Sequence, residues 1–186
     1  MGNFEKYEIV SSEVVFEGKV LSLSVDKVKF PTGEIHERET VRHKGAVGIV
    51  AVTNDYKVVL VEQYRHPVEG ALLEIPAGKL DLGEDPLDCV SRELAEETGS
   101  TCEKIIKLAE FYTTPGYSDE LFYLYLGLEL REGEREEGRE EEQDLEVTKV
   151  PLDEALLMIS SGEIRDGKTI AGLTLAERYL QLARKK

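Results

Sequence analysis

Residues 78–99 read GKLDLGEDPLDCVSRELAEETG. The stretch from Asp85 to Thr98 carries signals for both ends of a helix. Asp85 is a good N-cap, Pro86 suits the first helical position, and Gly99 can take the left-handed C-terminal position. Leu87, Val90 and Leu94 recur at helical spacing and are expected to bury one face. Glu93, Glu96 and Glu97 stand at i, i+3 and i+4, within an arc of about 100°. Like charges at that spacing destabilise an isolated helix by about 0.2–0.5 kcal/mol per pair. The cluster is therefore either a solvated face or a cation site, and carboxylate oxygens are the ligands that hard Mg²⁺ or Mn²⁺ prefers.

Outward from this helix the pattern is mostly strand. Val14 to Phe16 is one run. Leu21, Leu23, Val25, Val28 and Phe30 form the next, which turns at Pro31-Thr32-Gly33 before a return over Ile35–Val41. Residues 1–43 thus read as a small antiparallel unit ahead of a main domain over 44–186. In that domain Ala46–Thr53 and Lys57–Glu62 suggest a hairpin through Asn54-Asp55, and Ala71–Pro76 a short strand. Further strands are expected at Ile105–Tyr112, Leu121–Leu130 and Leu145–Val150, with closing helices over Leu152–Ser160 and Lys168–Arg184. Strands mixed with a few helices argue for a layered α/β sandwich.

Composition narrows the class. Hydrophobic residues make up 41% of the 186, enough for a core. The net charge of -15 repels nucleic-acid phosphates and anionic membranes, so neither is an expected partner. An anionic small molecule would need a local cation to receive it. Residues 132–146 hold nine acids against Arg135 and Arg139, so that this run supplies -7 of the charge. Cys89 and Cys102 show no CxxC spacing or disulfide framework, and no signal-peptide or membrane-spanning run is present; a cytoplasmic location is expected. Cys89 falls near the buried helix face and reads as core rather than nucleophile. No G-x-S-x-G or Walker-type loop is found.

The quoted stretch resembles the Nudix box: a Gly, five residues, a Glu, seven residues, then R-E-(apolar)-x-E-E-x-G. Gly78, Glu84, Arg92, Glu93, Leu94, Glu96, Glu97 and Gly99 all fall in register; Ser100 departs from the bulky apolar residue usual there. The segments EQYRHPVEGALLEIPAGKLD (62–81) and TTPGYSDE (113–120) resemble the ADP-ribose pyrophosphatase branch, in which a proline lies about sixteen residues beyond the last glycine of the box, as Pro115 does from Gly99. The resemblance implies a Nudix-type α/β/α sandwich with a mixed sheet, preceded by the N-terminal antiparallel β unit. It implies Mg²⁺, with Mn²⁺ as an alternative, held principally by Glu93 and Glu97. Glu96 and the Ala77 carbonyl would assist, Glu84 would shape the site and Arg92 would orient carboxylates.

It also implies substrate roles. Arg65 would grip the diphosphate, supplying the cation that the net charge demands. Glu120 would bind ribose beside Pro115-Gly116, and Arg42 or Arg38 would flank the adenine. Relatives place a further glutamate in an acidic loop, as metal ligand or base. That position aligns with Gln143, whose amide cannot accept a proton, so Glu142 takes the base role here, with Glu141 next in line. The implied reaction is hydrolysis of ADP-ribose to AMP and ribose 5-phosphate by a homodimer whose N-terminal units complete the pockets. The alternatives are another nucleoside diphosphate derivative, such as a GDP-sugar or flavin adenine dinucleotide, and a nucleotide-binding sensor on the same scaffold.

Overall fold

The computed structural model of the chain describes residues 7–135 and 145–184. The chain divides into two compact units, one formed by residues up to Gly45 with Phe111–Leu121, the other by Ala46–Glu110 with Phe122 onward.

The first unit is a three-stranded antiparallel sheet. Strand β1 (Glu8–Glu17) pairs with β2 (Leu21–Lys29), which pairs with β3 (Ile35–His43). The turn between β2 and β3 is closed by the Gly33 amide donating to the Phe30 carbonyl, with Gly33 at φ 90°, a conformation favoured by glycine. Strand β1 is longer than its apolar run suggested, because backbone pairing with β2 carries it back to Glu8. All ten of its residues are exposed, Ile9, Val14 and Phe16 among them. Segment 111–121 lies along β3: the Val41 amide donates to the Tyr117 carbonyl at 2.7 Å, and the Asp119 amide donates to the Val41 carbonyl at 3.2 Å.

The second unit holds two sheets. One orders its strands as β10 (Glu146–Pro151), β5 (Lys57–Arg65) and β6 (Gly70–Glu74), all antiparallel. The other runs β7 (Ala77–Lys79), β4 (Ala46–Ala51), β9 (Leu121–Arg131) and β8 (Thr101–Tyr112). It is mixed, since β4 pairs antiparallel with β7 and parallel with β9. The expected hairpin of Ala46–Thr53 with Lys57–Glu62 is therefore corrected. The turn through Asn54-Asp55 is present, with the isolated bridge Val52↔Val58 and the Thr53 amide donating to the Lys57 carbonyl at 2.8 Å, but beyond it strands β4 and β5 belong to different sheets. Alternation gives a strand's period but not its neighbour.

Every residue of β4 is buried, as expected of a central strand covered on both faces. Val47, Ile49 and Ala51 pack with Cys89, Val90 and Leu94 of helix α1 (Pro86–Thr98). The opposite face meets helix α3 (Gly167–Ala183), where a Cβ on Gly172 would lie 3.0 Å from a Val50 methyl. This is the helix–sheet–helix layering that the sequence implied. Helix α2 (Leu152–Ser161) packs on α3, β10 and β5. Among the described residues no helix is long and apolar enough to cross a membrane.

Candidate active site

Helix α1 is built as its sequence requires. The Leu87 amide donates to Asp85 Oδ1 at 2.8 Å, Pro86 opens the helix, and Gly99 closes it at φ 70°. Its buried residues are Cys89, Val90, Leu94 and Glu97. Leu87 is not among them: it is exposed, because the inward face is centred a residue or two later and takes in Glu97. Burial pushes the Cys89 thiol up to about 12, so it stays protonated and inert, as expected of a core cysteine.

Three of the four glutamates of the quoted stretch, Glu84, Glu93 and Glu96, are organised by one arginine. Arg92 makes a two-pronged pair with Glu84, Nε to Oε1 at 2.9 Å and Nη2 to Oε2 at 3.0 Å. Its Nη1 donates to Glu93 Oε1 at 2.7 Å and to Glu96 Oε2 at 3.0 Å. This cation offsets the repulsion that the i, i+3, i+4 spacing creates. Glu84 is further fixed by the Asp81 amide at 3.0 Å. The Arg92 hydrogen bonds, foremost, and then that amide lower its pKa to about 2.

Glu97 stands apart from that cluster. It is only 6% exposed, and its Oε2 accepts the Ala77 amide at 3.0 Å. Burial raises its pKa to about 8; the charges of Glu93 and Glu74 push the same way, against the Ala77 amide and Arg65. Glu93 presses on the neighbouring residue of the same strand. A Cβ added to Gly78 would fall 1.9 Å from the Glu93 carboxyl carbon, so only glycine leaves room for that carboxylate.

Arg65, at the end of β5, is paired with Glu74 at the end of β6. Nε to Oε1 is 2.7 Å and Nη2 to Oε2 is 2.8 Å. Glu74 is 1% exposed, and Lys168 lies 3.7 Å from its Oε2. Breaking a buried pair by removing one partner costs about 3–5 kcal/mol. Sequence reasoning missed Glu74, although a lone acid in the apolar run LLEIP is a recognisable sign of a buried, paired charge.

The remaining expected residues lie in the first unit. Arg42 donates to Asp26 Oδ2 at 2.6 Å, to Asp119 Oδ2 at 3.3 Å and to Ser24 Oγ at 3.2 Å. Glu120 accepts the Thr113 hydroxyl at 2.6 Å. Pro115 and Gly116 sit in a turn closed by the Tyr117 and Ser118 amides on the Thr114 carbonyl. They help line an open cavity of about 420 Å³ with Asp26, Arg38, Tyr112 and Tyr117. Glu141, Glu142 and Gln143 lie outside the described residues.

Among the described residues no three acidic, histidine or cysteine side chains stand already gathered as a cation site. The donor set around Ala77–Gly78 nevertheless fits a hard cation. It is all oxygen, and its glycine cradle admits a carboxylate, with the Glu97 carboxyl beside it on the Ala77 amide. The sequence model of the NUDIX domain matches residues 42–173. The chain belongs to the Nudix family. It is similar to a methanol dehydrogenase activator of Bacillus methanolicus, with 44% identity covering 98% of this chain and 96% of the other. An ADP-ribose pyrophosphatase of Bacillus subtilis (strain 168) is 43% identical, covering 93% and 91%. The crystal structure of an ADP compounds hydrolase superposes with a TM-score of 0.85 over 98% of both chains at 20% identity, which establishes the likeness of fold. Nudix ADP-ribose pyrophosphatases depend on a divalent metal.

The Glu97 carboxyl generates a test in the metal-free Nudix protein. Its folded pKa, about 8, lies above the ordinary 4.5. Its contribution to stability is therefore full below the ordinary value and is lost as pH rises toward about 8. Without metal, the melting temperature is expected to fall between pH 5 and pH 8.5, and Glu97→Gln to flatten that fall. Parallel melting curves for the two proteins would contradict the assignment.

Proposed function

We propose that this Nudix chain hydrolyses the diphosphate bond of ADP-ribose, giving AMP and ribose 5-phosphate, with Mg²⁺ as its metal and Mn²⁺ as a substitute. The observation that carries the reading is the seating of Glu93 and Glu97 against the Ala77–Gly78 strand. It is supported by the 43% identity to an ADP-ribose pyrophosphatase over nearly the whole chain.

Glu93 and Glu97 would be the principal ligands, with Glu96, Glu84 and the Ala77 carbonyl completing the donor set. A bound divalent ion supplies charge neutralisation at the diphosphate and a lowered pKa for water. Arg92 holds Glu84, Glu93 and Glu96 in orientation through the contacts described above. Arg65 faces the diphosphate as its cation, already braced by Glu74. Glu120, Pro115, Gly116 and Arg42 receive the nucleoside and ribose groups. Glu142, or Glu141 in its place, takes the proton of the attacking water. The new bond joins the water oxygen to one phosphorus. The bond from that phosphorus to the bridging oxygen breaks, and the bridging oxygen leaves with the other phosphate.

The functional unit is a homodimer in a cytoplasmic setting, with residues 1–43 as the dimerising element and 44–186 as the hydrolase domain. The exposed apolar side chains of β1 support this reading. The double substitution Val14→Glu, Phe16→Glu is expected to give monomers by sedimentation velocity; an unchanged dimer would place the interface elsewhere.

Release of AMP from ADP-ribose tests the chemistry. Release should require the metal and fall in Glu97→Gln by more than about 100-fold, beyond the 10–100-fold typical of outer-shell changes. Binding of ADP-ribose without release would favour a sensor. Faster release from a GDP-sugar or flavin adenine dinucleotide would reassign the substrate. The 44% identity to a dehydrogenase activator favours a second reading, action upon another enzyme. Under it, adding the chain raises the turnover of an alcohol dehydrogenase in the absence of ADP-ribose.

A further inference from the structure

The chain passes from one sheet to the other between Glu74, the last residue of β6, and Ala77, the first of β7. At this crossing the backbone leaves one hydrogen-bond ladder before it enters the next. Pro76 brings no amide hydrogen, and its carbonyl accepts the Ile49 amide of β4 at 3.0 Å. The amides on either side are both held by side chains from distant helices. Glu97 of α1 takes that of Ala77. Thr169 of α3 takes that of Ile75: its Oγ1 accepts at 2.9 Å.

A hydroxyl can accept one hydrogen bond while donating another, and Thr169 does both. Its Oγ1 donates to Asp166 Oδ2 at 2.8 Å, and the same oxygen accepts the Thr169 amide at 2.8 Å, which makes Asp166 the N-cap of α3. Asp166 Oδ1 is paired with Lys168 at 2.6 Å. Thr169 is fully buried and Asp166 nearly so. While it donates to Asp166, the hydroxyl turns an acceptor lone pair to the crossing peptide. A helix cap alone would need only the Asp166 carboxylate. The further bond to Ile75 joins the cap to the segment that carries Ala77.

We infer that Thr169, oriented by Asp166, is a positioning residue for the metal site, fixing the Ile75–Ala77 crossing so that Ala77 and the Glu97 carboxylate keep their register. This rests on the reading that places a divalent ion at Ala77, Glu93 and Glu97. Thr169 touches none of these directly; it acts through the Ile75 amide, two residues before Ala77. Valine keeps the shape of threonine and loses the hydroxyl, so Thr169→Val leaves the Ile75 amide without its acceptor and removes one of the two hydrogen bonds to Asp166 Oδ2. Thr169→Ser keeps the hydroxyl.

The test is titration of Mn²⁺, without nucleotide, followed by the electron paramagnetic resonance of the free ion. Thr169→Val is expected to raise the Mn²⁺ dissociation constant about 10-fold or more, the range seen when outer-shell partners of metal sites are removed. With saturating metal it should lower kcat and leave KM within about twofold, and Thr169→Ser should restore both measurements. Ala176→Gly, at a buried position further along α3, controls for loss of helix stability, which costs about 1 kcal/mol. It should leave Mn²⁺ affinity unchanged. Wild-type Mn²⁺ affinity in folded Thr169→Val, or equal weakening in Ala176→Gly, would overturn the inference. If Thr169→Val does not fold, Asp166→Asn decides, because it removes the charge that orients the hydroxyl; weakened Mn²⁺ binding supports the role and unchanged binding overturns it. Failure of the underlying reading is separately visible, as wild-type protein that does not bind Mn²⁺ or whose binding survives Glu97→Gln.

Discussion

The hydrogen bond from the Ala77 amide to the buried Glu97 carboxylate joins helix α1 to the edge strand of the mixed sheet, and the site is arranged about it. A carboxylate placed there is costly, since burial without full pairing disfavours its charged form. The fold tolerates the cost at one position only because the neighbouring acids are managed separately. Arg92 collects Glu84, Glu93 and Glu96, while Arg65 is spent on Glu74. Glu97 is left with a backbone amide, and burial raises its pKa to about 8. A cation arriving at such a place displaces a proton and relieves the repulsion at once.

That arrangement explains why the strand beside α1 reads Ala77-Gly78. Any side chain at Gly78 would occupy the space of the Glu93 carboxylate. It also explains why the crossing before it is pinned so heavily. Thr169, Ile49 and Glu97 each hold one peptide group between Ile75 and Ala77. Three elements remote in sequence thus converge on three consecutive residues. Glu74, the last residue of β6 before the crossing, also holds the side chain of Arg65, so the cation proposed for the diphosphate is tied to the same stretch of chain as the proposed metal donors.

Much of this was legible in the sequence, for physical reasons that differ by residue. The helix could be read with its caps because Asp85, Pro86 and Gly99 act locally. The carboxylate cluster was legible because helical geometry brings i, i+3 and i+4 together regardless of the rest of the fold. Leu87 was misplaced because periodicity fixes the spacing of a buried face better than its phase, and here an acid, Glu97, occupies an inward position. The hairpin of β4 and β5 was misread because an alternating strand does not name its partner, and the two strands separate into different sheets at Val52. Thr169 gave no signal at all. Its contact with Ile75 spans 94 positions, and a threonine near a helix start reads as an ordinary capping residue. Of the residues implied by the Nudix resemblance, Glu93 and Glu97 lie against Gly78 and Ala77, whereas the acidic residues 141–142 lie outside the described residues.

The central claim is that the Glu93 and Glu97 carboxylates, seated on a glycine strand, form a divalent-metal site. Calorimetric titration of Mg²⁺ into the wild-type protein and Gly78→Ala tests it most directly, because the substitution adds one methyl group and removes no ligand. The account predicts a folded Gly78→Ala protein with Mg²⁺ binding weakened by about 10-fold or more, as outer-shell disruption of a metal site typically gives. Unchanged Mg²⁺ binding in that protein would contradict it.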